Sequence, residues 1–247
     1  MKTAKTRIMT IDLEPDLGSR ECKSMIEVIP KLLNFFDDQK IRATFFTVTS
    51  LLEKYESQIT EIAKKHEIAS HSHTHHALNP VNARWEMEKS REVLKEHGIN
   101  VYGFRAPMFV TTKDHLKLVK ETGYTYDASF ARYLPTRYRN LTLPGKPFVK
   151  EGIQEFPTPN FVYPLVNSGM PYLKLFHPIS RSFPKPYLFY LHPWEFLKKT
   201  DLTGNALLTH NCGQKAWTIF ERYIERCGGK WLGCRAWMEN EMRSKAD

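Results

Sequence analysis

Short runs of β-branched and apolar residues alternate along this chain with longer stretches in which apolar side chains recur every three or four positions. Residues 7–11 read as a strand, and residues 19–40 carry Met25, Ile26, Val28, Ile29, Leu32, Leu33, Phe35 and Phe36 at helical spacing. The unit recurs as strand 43–48 with helix 50–65, then as strand 67–70 with a helix that Asn82 caps and Gly98 ends. Strand 101–104 leads to helix 113–122, stopped at Gly123, and residues 124–129 return to strand. Strands 153–156 and 186–191, a helix over 212–226, strand 230–232 and a helical tail follow. Parallel neighbours need a long crossover and a helix supplies it, so this order predicts an α/β fold with a parallel sheet or barrel and helices outside. Catalytic groups of such folds sit where strands end. Residues 131–150 and 157–186 read as long loops over that face.

A length of 247 residues suits one barrel unit, and no repeat or linker divides it, so residues 1–247 read as a single domain. Hydrophobic residues make up 41% and charged residues 26%, which supports a sizeable core and excludes a disordered chain. The start enters strand-like sequence without an apolar leader and no later run approaches membrane-spanning length, so the chain reads as soluble and cytoplasmic, with no transmembrane segment. Cys22, Cys212, Cys227 and Cys234 form no CxxC and are expected as reduced thiols. The net charge of +9 favours an anionic partner. No basic run, RNP-like motif or zinc-finger spacing accompanies it, so nucleic acid is not the expected partner.

Four of the ten histidines fall within six residues, in Ser70-His71-Ser72-His73-Thr74-His75-His76, directly after a strand. Neutral imidazole is the commonest protein metal ligand, and a pair four apart in one helical turn would aim both rings the same way. A solvated polar loop is the other reading of this run. Asp12 and Glu14 close the first strand on one face, where one carboxylate can ligate a cation and the other act as base, although a solvated turn fits them equally. Arg105 ends another strand and can hold a carboxylate with its guanidinium. Asp127 ends the next, and the simple alternative for these two is a structural ion pair. His192, in Leu191-His192-Pro193-Trp194-Glu195, adds a distant imidazole that alone would read as a packed histidine.

Taken in order, these segments and Ala43-Thr44-Phe45-Phe46 resemble the polysaccharide deacetylase family, the NodB-type carbohydrate esterases. They are most similar to a subgroup with Asp-x-Glu in the first motif and His-Pro-Trp-Glu in the last. The resemblance implies a distorted (β/α) barrel of about seven parallel strands and a metal-dependent hydrolase that removes acetyl groups from N-acetylated sugars. By position it makes Asp12 the base, Glu14, His71 and His75 the metal ligands, Arg105 the partner orienting Asp12, Asp127 its supporting acid and His192 the general acid. The Met108 amide, after Pro107, matches the oxyanion donor, while His73 and His76 fall outside the ligand pair. The commonest pattern has two adjacent aspartates and an aromatic residue after the proline. Here Leu13 intervenes, Glu14 replaces the second aspartate and Met108 follows Pro107.

A divalent ion held by two histidines and one carboxylate keeps positions open for water and an amide carbonyl, and zinc is the first expectation. An intracellular, anionic substrate, such as a nucleotide- or lipid-linked N-acetylhexosamine, suits the charge better than an external polymer. Arg132, Arg137, Arg139, Lys146 and Lys150 are phosphate contacts on that reading, but a solvated basic loop accounts for them more simply. Tyr163, Tyr172, Phe176 and Trp194 could stack on sugar rings, though such aromatics more often pack. A non-sugar amidohydrolase and a silent binding protein are the competing classes.

Overall fold

A computed structural model describes residues 5–19, 21–134 and 138–243. Strand β1 (Thr6–Leu13) is buried almost throughout, as expected of a strand covered on both faces. Strands β2 (Thr44–Thr47), β3 (Glu67–Ser70), β4 (Gly103–Phe104) and β5 (Tyr126–Asp127) follow it in sequence and in space. Strands β6 (Tyr133–Leu134) and β7 (Tyr138–Arg139) form a separate hairpin, β8 (Phe148–Lys150) and β9 (Ile153–Glu155) pair antiparallel, and β10 (Asn160–Val162) and β11 (Val166–Asn167) form a second hairpin. Strands β12 (Leu188–Leu191) and β13 (Lys230–Leu232) complete the set.

The main sheet has nine strands in the order β12-β1-β2-β3-β4-β5-β9-β8, with β13 beside the start of β1. All its pairings except β8–β9 are parallel. The curled path from β12 to β9 therefore has the strands expected of a distorted barrel. Residues 167–169 cross its open side, where Ser168 N–H donates to the Pro159 carbonyl (2.8 Å) and Tyr190 N–H to the Ser168 carbonyl (3.3 Å).

Strand alternation divides the packing into two layers. Met9, Ile11 and Leu13 join the core between sheet and helices, whereas Ile8 lies inside the barrel with Phe46, Ala69, Tyr126, Phe156 and Leu188. Thr10 and Asp12 share the inward parity of Ile8, so the same strand that seals the barrel floor carries polar groups to its mouth. Helix α8 (Cys234–Arg243) closes the floor, with Trp237 edge-on to Phe156 at 5.5 Å.

The expected helix over 19–40 is two helices, α1 (Lys23–Glu27) and α2 (Ile29–Asp38), because Pro30 lacks the N–H that would continue the ladder. Helix α3 (Leu52–Ala63) follows a 3₁₀ turn at Thr49–Leu51, and α4 (Ala83–Glu96) starts after Asn82. The Asn82 side chain does not cap α4. Its Oδ1 accepts from Asn79 N–H (2.8 Å) and its Nδ2 donates to the Ala77 carbonyl (3.1 Å), which ties down the preceding loop instead. Helices α5 (His115–Glu121), α6 (Met170–Leu175) and α7 (Gln214–Cys227) complete the outer layer. The long segments read as loops contain two hairpins, β8 and α6. All four cysteines are free, and no helix among the described residues is long and apolar enough to cross a membrane.

Candidate active site

The first residues past β3 and β4 remain tied to neighbouring strands, which aims their side chains. His71 N–H donates to the Thr47 carbonyl (2.9 Å) and Arg105 N–H to the Ser70 carbonyl (2.9 Å). His71 and Arg105 are thereby presented side by side at the barrel mouth, and His71 Nδ1 lies 2.8 Å from the Arg105 carbonyl. A proton on Nδ1 makes that bond, so the Nε2 lone pair is left facing the mouth.

The histidine run is not a helical turn. Ser72 (φ 68°) and His75 (φ 64°) occupy the left-handed region, which brings the His71 and His75 rings to 5.1 Å. Side chains that occupy this region lose about 1–2 kcal/mol each, so the surroundings must hold the loop. Thr49 and Ser50 N–H donate to the Ser72 and His73 carbonyls (3.1 and 3.0 Å), and Ser72 Oγ accepts from His75 N–H (3.1 Å). The buried Glu86 carboxylate of α4 accepts from His73 N–H (2.8 Å) and Thr74 N–H (2.9 Å). Sequence reading missed Glu86, whose polar type and helical position resemble those of any surface acid.

Glu14 lies opposite these rings. Its Oε2 is 2.7 Å from His75 Nε2 and 3.6 Å from His71 Nε2, and its Oε1 accepts from Trp194 Nε1–H (3.0 Å). One ligand atom from each of Glu14, His71 and His75 lies within 4.8 Å of the others, a group able to hold a metal ion. The intervening Leu13 points into the core, so Asp12 and Glu14 share one face. Burial opposes charge on Glu14, but His192, His71 and His75 outweigh it and hold the carboxyl well below its usual range.

Asp12 accepts from Arg105 Nη1–H at 2.5 Å. The guanidinium is fully buried, donates also to Thr10 Oγ1 (3.1 Å) and the Ala128 carbonyl (3.1 Å), and lies over the Phe46 ring at 4.1 Å. His192 Nε2 is 3.8 Å from both Asp12 Oδ2 and Glu14 Oε1. Its Nδ1 is 3.3 Å from Glu195 Oε2, which also accepts His192 N–H (2.9 Å). Burial would depress this imidazole, yet Glu14, Glu195 and Asp12 raise it to about 9. Buried Lys174 stands behind Glu195 at 3.7 Å and donates to the His210 carbonyl (3.3 Å). Glu195 was legible within the last motif but carried no assigned role, and Lys174 left no sequence signal.

Two expected placements change. Asp127 does not reach Arg105; its Oδ1 accepts from Ser129 Oγ–H (2.7 Å) and lies 3.2 Å from His115 Nε2, and its Oδ2 accepts Ser129 N–H (3.1 Å). The cluster supports Arg105 through the backbone, since Ser129 Oγ accepts Ala106 N–H at 2.8 Å. His115, hidden in the apolar pattern of α5, was not anticipated. Trp194 is only 3% exposed, bonded to Glu14 and stacked on His192 at 5.0 Å, so it positions these side chains and presents no platform for a sugar. Met108 (φ 54°) occupies the tight turn Pro107–Phe109 after Arg105.

The basic loop is only partly committed. Arg132 donates to the Leu143 carbonyl (2.7 Å) and covers the Tyr163 ring, whereas Lys150 joins Lys113 along a cleft of about 900 Å³. Arg137 and the side chain of Arg139 lie outside the described residues. His73 bonds Thr49 Oγ1 (2.9 Å), and exposed His76 lies beside Thr74.

A polysaccharide deacetylase family model matches residues 2–126. No curated protein matches this sequence. Among solved structures, a Mycobacterium smegmatis protein assigned to the polysaccharide deacetylases is 18% identical, with a TM-score of 0.64 over 97% of this chain and 92% of that one. PuuE allantoinase is 16% identical, with a TM-score of 0.58 over 92% and 86% of the two chains. A Bacillus anthracis pseudoenzyme of the CE4 family is 13% identical, with a TM-score of 0.53 over 95% and 65%. One fold thus carries different chemistries, and side chains must discriminate among them.

Proposed function

We propose that this chain, which belongs to the polysaccharide deacetylase family, is a metal-dependent hydrolase that releases acetate from an N-acetylated sugar. The carrying observation is the convergence of Glu14, His71 and His75 beside an Asp12 that Arg105 holds in place. The donor set fits a divalent ion, with zinc proposed first: His71 Nε2 and Glu14 Oε2 face the same point while their other atoms are bonded elsewhere. A bound ion at these three residues would acidify a water and polarise the acetyl carbonyl.

Asp12 is the base in this reading. Its Oδ1 is occupied by Arg105, leaving Oδ2 to take a proton from water at the mouth. His192 faces the same side and protonates the departing amide nitrogen, which is a poor leaving group as an anion. Glu195 holds the His192 ring through Nδ1, so Nε2 is the atom that delivers the proton. Trp194 packs against both His192 and Glu14 and limits their rotation. The Met108 amide is the proposed donor to the carbonyl oxygen.

The deciding experiment measures metal content by elemental analysis and acetate release from N-acetylglucosamine-containing substrates, free and nucleotide-linked, for the wild type and Asp12→Asn. Bound metal with acetate release that disappears in Asp12→Asn is expected. Amine release from a non-sugar amide without acetate from any sugar would move the site to another amidohydrolase class. Absence of bound metal and of both activities would place the chain with silent members of this fold.

A further inference from the structure

On the flank of the barrel, α6, the 3₁₀ turn Ile179–Ser182 and α7 enclose a cavity of about 250 Å³. Leu173, Ile219 and Tyr223 give it an apolar lining, while Arg181, Arg222 and Arg226 stand around it. Lys215, Ile219, Arg222 and Arg226 follow one another at spacings of four, three and four, so they form one stripe along α7. Neither the three cations of this stripe nor Arg181 makes an ion pair among the described residues, and the acids Glu221 and Glu225 of the same helix pair with none of them. Some surface cations elsewhere are neutralised, as Lys23, Lys65, Arg84 and Arg235 are by carboxylates, and others such as Lys31 and Lys95 meet none among the described residues, so what sets this face apart is the gathering of several cations around one recess.

Buried Arg226 Nη2 has no hydrogen-bond partner, and its guanidinium lies over the Tyr223 ring at 5.4 Å. Tyr223 itself is 3% exposed and holds Arg226 at the edge of the recess, leaving one guanidinium nitrogen with unfilled donor capacity. His177 lies in the same field, and desolvation followed by Lys215, Arg181 and Arg222 holds its imidazole below the usual range. Ile179 and Phe176, next to the rim in sequence, are 71% and 38% exposed. Unpaired arginines alone would suit any polyanion. An exposed isoleucine and phenylalanine beside them suit a surface whose anionic headgroups cover apolar chains.

We infer that this face docks on an anionic lipid bilayer, with a headgroup phosphate bound by Arg181, Arg222 and Arg226 and with Ile179 and Phe176 seated at the acyl boundary. Planar guanidinium forks match phosphate oxygens, and the lysine at the end of the stripe extends the positive field. The inference is independent of the chemistry at the strand ends.

Cosedimentation of the full chain with phosphatidylglycerol and phosphatidylcholine vesicles tests it. Binding to the anionic vesicles only, weakened by added salt, is expected. A cationic side chain near an anionic leaflet contributes roughly fivefold, so Arg181→Gln with Arg222→Gln should weaken binding about 25-fold. Ile179→Ser should weaken it severalfold and leave the salt dependence intact, which checks the face with a variant that changes no charge. Lys31→Gln with Lys95→Gln, on α2 and α4, should bind as the wild type does. Equal binding to both vesicle types, or unchanged binding by both the arginine variant and Ile179→Ser, would overturn the inference. So would capture of soluble glycerol phosphate without vesicle binding, which would make the recess a small-anion site.

Discussion

Two histidine–carboxylate clusters lie at strand ends of one sheet, built from the same residue types and put to different uses. Around Glu14, the Nε2 atoms of His71 and His75 approach one carboxylate oxygen, and the Arg105 carbonyl engages His71 Nδ1, so potential ligand atoms converge on one point. Around Asp127, the protons of Ser129 and His115 are directed onto the carboxylate, and every member is sealed from solvent. Burial favours the neutral form of Asp127, but His115 overcomes it and holds the carboxyl below its usual range. Burial, and then the Asp127 charge, push Glu155 well above its own range. The second cluster thus has its charge internally compensated, whereas the first retains donor capacity toward the mouth. Residue type does not distinguish a ligand set from a structural pin; the direction of lone pairs and protons does.

Breaking the first cluster should have the largest effect. His71→Ala or Glu14→Gln should abolish metal binding and reduce acetate release to background, read by elemental analysis and an acetate assay on the same preparations. Asp12→Asn should lower turnover by about 10²–10⁴-fold while metal content stays unchanged, because it removes a base without removing a ligand. Asp127→Asn should act in the opposite sense, leaving metal content intact while costing about 1–3 kcal/mol in denaturant unfolding. Metal loss from that variant with unchanged stability would erase the distinction between the clusters.

A histidine that forms no ion pair with a carboxylate among the described residues sharpens the comparison. His66 packs against Phe36 and Phe45 and accepts Ala43 N–H at Nδ1 (3.3 Å), and burial followed by the Arg42 charge lowers it to about 4. The unfolded chain takes up this proton near pH 6.5 and the folded chain does not until about 4. Its contribution is therefore complete above pH 6.5 and is lost as pH falls toward 4, by about 1–3 kcal/mol. His66→Asn, which keeps an acceptor for Ala43, should flatten stability against pH in that window. Smallest of all, His76→Ala should leave metal content unchanged and alter stability by less than about 0.5 kcal/mol, since the side chain is solvent-exposed.

Much of the architecture was legible locally. Alternation between periods of two and of three to four marked the strands of the curled path and most helices, because each side chain's burial follows from its own place in an element. The break at Pro30 was also written in the sequence but was overridden by the apolar spacing around it. Short hairpins such as β10–β11 were hidden because two or three residues carry too little periodicity to register. At the site, the ordered motifs singled out the residues that gather at the mouth. They did not indicate that Glu86 holds the histidine loop, that Asp127 belongs to His115, or that Trp194 is buried against Glu14. These are contacts between residues 12 to 180 positions apart, with no local pattern to announce them.

Local pattern established a parallel α/β chain with acids, imidazoles and an arginine at its strand ends, since periodicity and side-chain parity act within a few residues. Tertiary structure decided which of those groups cooperate. Register set Arg105 beside Asp12, left-handed residues 72 and 75 folded two histidines onto Glu14, and a proton directed from Ser129 turned Asp127 inward. Such choices depend on where lone pairs and protons point after separate segments meet. The arginine face on α7 has the same origin: spacing aligned its cations, and packing against α6 set them around one recess beside exposed Ile179.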